Sequence, residues 1–70
     1  MNDFIIQAWG ATASGHAFHK DERLHNETLE NADTLFMERV ASCDDPEVTH
    51  FNLLMLGPNG AARHLRNVAV

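Results

Sequence analysis

A single cysteine, Cys43, stands in a chain of 70 residues. One thiol has no intrachain partner, and a secreted domain this short is normally stapled by several bridges, so the count predicts a reducing compartment. Positive charge is equally scarce: five Lys and Arg face ten Asp and Glu, for a formal net charge of −5. With no basic stripe, that balance speaks against direct nucleic-acid binding. The start, Met1 to Ile6, lacks the basic region and apolar core of a signal peptide, and no stretch approaches the apolar length that crosses a bilayer. A soluble cytoplasmic protein without a membrane partner is expected.

Chemistry-bearing motifs are missing too. Ser14 and Ser42 have no Gly-x-Ser-x-Gly context. Gly57-Pro58-Asn59-Gly60 has neither the lysine nor the spacing of a phosphate loop. There is no Cys-x-x-Cys, and Cys43 falls on an apolar stripe where a thiol is buried and inert. Five histidines (His16, His19, His25, His50 and His64) raise the question of a metal. His16 and His19 share an ion only on a helix; in a strand, residues three apart point to opposite faces. The expectation is a non-enzyme without cofactor or metal. Its histidines lie at the surface or an interface, where they would make binding sensitive to pH.

The residues that are present specify one small α+β domain. An apolar fraction of 44% excludes wholesale disorder, and the length allows one domain with a thin core. Residues 3–9 are rich in aromatic and β-branched types and predict a strand, with Phe4, Ile6 and Ala8 on one face and Ile5, Gln7 and Trp9 on the other. Gly10 to Gly15 reads as a hairpin loop, His16 to Lys20 as a short returning strand, and Asp21 to Glu27 as a polar loop. From about Glu30 to Cys43, an apolar stripe of Leu29, Ala32, Leu35, Phe36, Val40 and Cys43 recurs at helical spacing. Thr28 or Asn26 is the N-cap, and Asp44-Asp45-Pro46 ends the helix. Val48 to Leu56 and Ala61 to Val70 are strands around the Gly57-Pro58-Asn59-Gly60 turn.

The order is ββαββ: a four-stranded antiparallel sheet with one helix packed on one face. Strand order stays open, because each hairpin pairs at either edge. One helix covers one face, yet Val48–Leu56 is apolar on both, with Phe51, Leu53 and Met55 on one side and Val48, Leu54 and Leu56 on the other. Either a second subunit or partner covers the far face, or its apolar residues are exposed.

Charge is sharply localised. Nine of the ten acids fall between Asp21 and Glu47 with only Arg23 and Arg39 among them, so this segment carries about −7. Around the helix, Glu30, Thr34, Met37, Glu38 and Ala41 face away from the apolar stripe. Most acidic helix faces are simply solvated. Here the charge has one sign, Asp44 and Asp45 extend it beyond the helix, and Met37 places an adaptable apolar group within it. Glu30, Asp33, Met37, Glu38, Asp44 and Asp45 are therefore the candidate surface for a protein partner with a basic face.

In format, this acidic ββαββ chain with its Asp/Glu-rich helix and tight Gly57-Pro58-Asn59-Gly60 hairpin resembles the small inhibitor proteins encoded by phages and mobile elements, anti-CRISPR proteins in particular. The resemblance implies a stoichiometric inhibitor that binds a host nuclease or RNA-guided complex and blocks DNA access; it carries over no residue. The alternative expectation is a domain that dimerises through the uncovered sheet face near Ile5, Trp9 and Leu54.

Overall fold

A computed structural model describes all 70 residues. Five elements follow in the expected order: β1 (Asn2–Ala11), β2 (Ala17–Glu27), α1 (Leu29–Ala41), β3 (Val48–Leu56) and β4 (Ala62–Ala69). The strands form one antiparallel sheet in the order β2-β1-β3-β4. Both hairpins thus keep their sequence neighbours, and the two most apolar strands, β1 and β3, meet at the centre.

The core lies between the sheet and α1. Phe4, Ile6 and Leu24 join Val48, Phe51 and Leu53 beneath Ala32 and Phe36, and all eight are buried. Phe36 has no exposed surface and meets Phe51 edge-on, with ring centroids 6.5 Å apart and planes at 85°. Three residues span about 300° of helix, so Asp33 and Arg39 flank Phe36 on either side. Each flank is tied to a different edge of the sheet. Arg39 donates Nε to Glu22 Oε1 at 2.9 Å and Nη2 to Oε2 at 3.0 Å on β2. Asp33 accepts from Arg66 Nε and, at 3.0 Å, from its Nη2 on β4. These two-pronged pairs fix the roll of the helix about its axis.

Thr28 is the N-cap, accepting from the Asn31 N–H at 3.1 Å. The helix stops at Ala41, before Asp44-Asp45-Pro46. Ser42 caps it through its backbone N–H, and its hydroxyl also donates to the Glu38 carbonyl. Leu29, at the start of the apolar stripe and the first residue of α1, is 55% exposed.

Two expectations are corrected. The polar run Asp21 to Glu27 is strand, not loop: Asp21, Glu22, Arg23 and Leu24 pair with Gln7, Ile6, Ile5 and Phe4. β2 is an edge strand, and charged residues there are compatible with a ladder bonded on one side only; they also discourage further strand addition. Val48 faces the helix, not the far side with Leu54. Trp9 pairs with His50 but Gly10 with Val48, so Thr49 is an extra residue, a β-bulge that turns Val48 into the core.

A second irregularity skips from Asn2↔Glu27 to Phe4↔Leu24, leaving an extra residue in β2. Asn26 takes it up at φ 54°, a left-handed conformation that asparagine tolerates better than most side chains. No helix is long and apolar enough to cross a membrane.

Gly10 sits where β1 passes under the loop into β3. A Cβ there would lie 2.1 Å from the Glu47 carbonyl oxygen, while at Gly57 the nearest atom would be 3.4 Å away. Gly10→Ala is expected to lower stability by about 1–3 kcal/mol and Gly57→Ala to change it by less than about 0.5 kcal/mol, read from urea midpoints.

Candidate binding surfaces

The fold sorts the charges that the sequence lists in a row. Glu22 and Asp33 are taken up by Arg39 and Arg66, and these hydrogen bonds hold both guanidinium groups above their already high ordinary range. Asp3 is taken up by Arg23 at 3.2 Å and by the Asn26 N–H at 3.0 Å. Of the six candidate residues, Asp33 is therefore set apart: its carboxylate is engaged by β4, and it faces the groove beside the helix. Glu30, Met37 and Glu38 lie together on the exposed side of α1. Eight residues of helix separate Glu30 from Glu38 by about 12 Å, with Met37 between them and 43% exposed.

Asp44 and Asp45 follow the C-terminal end of α1. Asp44 is exposed; Asp45 is half-buried, accepts from the Glu47 N–H at 2.9 Å and stands 4.0 Å from Lys20. The last carbonyls of a helix already carry partial negative charge, and carboxylates near them add to it. Glu38, Asp44 and Asp45 thus concentrate negative potential at one end of the helix, offset locally by Arg39 and Lys20. At the other end, Leu29, Glu30, Asp33, Leu53, Leu65 and Arg66 line an open groove of about 550 Å³ between α1 and β4. The helix surface offers apolar points at Leu29 and Met37 inside an acidic rim.

The far face of the sheet is chemically different. Register across the strands places residues in rows: His19–Trp9–His50, then Asp21–Gln7–Asn52–Asn67, then Arg23–Ile5–Leu54–His64. The rings of the first row stack, with Trp9 4.5 Å from His19 at 29° and 6.2 Å from His50 at 3°, centroid to centroid. The Trp9 indole N–H donates to Gln7 at 3.1 Å, His19 Nδ1 lies 2.9 Å from Asp21, and Asn67 donates to Asn52 at 2.7 Å. Leu54 and Asn52 are buried even without a covering layer, while Ile5, Gln7, Trp9, His50 and Leu56 are half-buried.

His16, by contrast, lies in the first hairpin, within 3.3 Å of the Ser14 hydroxyl, and His19 belongs to the stacked row. Cys43 is half-buried against the core. No protein-family model, curated protein or solved structure matches the chain.

Asp3 anchors one end of the open face. The Asn26 N–H and then the Arg23 side chain hold its carboxyl below the usual value of 3.8. A lowered folded-state value means that this carboxylate favours the fold fully above about pH 4 and loses that contribution as the pH falls through the folded value. Asp3→Asn is expected to flatten the acid limb of a melting-temperature profile by lowering the plateau above about pH 4, with much less change at the acid end, where Asp3 is already protonated.

Proposed function

We propose that this chain is a non-enzymatic protein-binding module that docks the outer side of α1 and the turn after it onto a basic partner surface. Glu30, Glu38, Asp44 and Asp45 supply the charge; Met37 and Leu29 supply the apolar contact. The reading rests on one observation above all: Glu38, Asp44 and Asp45 stand at or just beyond the negative end of the helix dipole, where acids oppose local stability and Arg39 and Lys20 offset them only in part. Departures from local consistency of this kind concentrate at functional sites. An apolar centre within a charged rim is also the usual build of a protein interface.

The partner chemistry follows from the sign of the charge. Basic grooves that grip nucleic acid are the common cellular surfaces complementary to it, and a long-range field of opposite sign speeds the encounter. By filling such a groove the module excludes the nucleic acid. A host nuclease or RNA-guided complex is the target implied by the likeness in format to phage-encoded inhibitors.

Tagged protein incubated with a bacterial lysate is expected to capture a nucleic-acid-binding complex that high salt releases. The double variant Glu30→Lys, Glu38→Lys is expected to weaken that capture by more than about tenfold with an unchanged circular-dichroism spectrum. Equal capture by the folded double variant would sink the proposal.

A further inference from the structure

Four of the five histidines converge on the open face of the sheet. His19 and His25 come from β2, His50 from β3 and His64 from β4. The other charged groups facing the same side are Asp3 on β1 and Asp21 and Arg23 on β2. His19 lies 2.9 Å from Asp21, and His25 lies 3.4 Å from Asp3, which Arg23 also reaches. His50 Nδ1 is 3.0 Å from the Thr49 hydroxyl. No Lys or Glu occurs in these rows: Lys20 and Glu22 project to the helix side of β2, and Glu30, Glu38 and Glu47 lie on α1 and the loop that follows it.

That composition is the one that separates interfaces from ordinary surface, where Lys and Glu abound and Trp is rare. The dimensions fit as well. Four strands about 4.8 Å apart, each about eight residues long at about 3.3 Å per residue, make a face of about 500 Å². Two such faces in contact bury about 1,000 Å², the threshold of a specific association. In the middle, Trp9 on one side of the Gln7–Asn52 pair and Ile5, Leu54 and Leu56 on the other supply the apolar groups, and the half-buried Trp9, the chain's single tryptophan, is the anchor.

We infer that the open sheet face is the contact between two copies of this chain, formed when its histidines are neutral and broken when they are protonated. The sheets would stack face to face, about 10 Å apart, with both helices outermost. With neutral imidazoles, Arg23 against Asp3 and Asp21 leaves each face near −1. Protonation of all four imidazoles takes each face to about +3, and two such faces repel. The direction is diagnostic. Acidification toward the isoelectric point near 5.3 lowers the net charge and favours nonspecific association, whereas the histidine face predicts dissociation. This assembly is separate from the acidic docking surface, and leaves it exposed on both outer layers.

Sedimentation of the wild-type chain up to about 200 µM at about pH 8 and pH 6 provides the test. The expected result is twice the 7.8 kDa chain mass at the higher pH and at least tenfold weaker association at the lower. The folded double variant His19→Asn, His64→Asn is expected to lose most of that pH dependence. A monomer at every concentration at pH 8 overturns the inference. Equal or tighter association at pH 6 does the same, as does a monomer that instead binds a single-stranded oligonucleotide at that pH. Dimers abolished by Glu30→Lys, Glu38→Lys would place the contact on the helix and overturn it too; their persistence, whatever the fate of partner binding, supports it.

Discussion

The outward face of the helix depends on how one side chain, Phe36, meets the sheet. A helix lying on a small sheet is free to roll unless something fixes its rotation. Here the buried ring sets the depth, edge-on against Phe51, and the residues three before and three after it reach opposite edges of the sheet. Neither exposed ion pair is expected to contribute more than about 1 kcal/mol to stability. Their effect is geometric. With Asp33 held toward β4 and Arg39 toward β2, Glu30, Met37 and Glu38 have only solvent to face.

The same arrangement divides the molecule into two unlike surfaces. Glutamates, the single lysine and the acidic turn gather on the helix side, while four of the five histidines, Asn52, Asn67 and the tryptophan gather on the open side. A two-layer domain of 70 residues with ten buried side chains has little interior to spare, so most of its sequence is surface by necessity. What distinguishes this chain is that the surface is sorted by residue type, and each side then fits a different kind of contact.

Much of the fold was legible where burial imposed a period. β1 and β3 alternate or run apolar because they occupy the centre of the sheet, and the 3.6-residue stripe around Phe36 marked α1. The edges were harder. Asp21 to Glu27 carries one buried residue, Leu24, and its polar composition looks like a loop unless its ladder to β1 is known. Bulges were invisible as well: the extra residue at Thr49 reverses Val48, a change that a strict period of two cannot foresee. The candidate site was read from charge in one dimension. Glu30, Met37 and Glu38 came out together because a helix has a fixed period, but the sequestration of Asp33 by Arg66 joins residues 33 apart and needed the strand order. The histidine face required that order too, since its members come from three strands.

Carboxyl footprinting tests this sorting of charge most directly. Carbodiimide coupling to a small amine, read residue by residue by mass spectrometry, compares acids that are neighbours in sequence but differ in engagement. Glu30, Glu38 and Asp44 are expected to react several-fold faster than Glu22 and Asp33, whose oxygens are occupied by guanidinium donors. Equal labelling of Glu22, Asp33, Glu30 and Glu38 would contradict the pinned helix, and with it the sorting of free and engaged acids on the helix side.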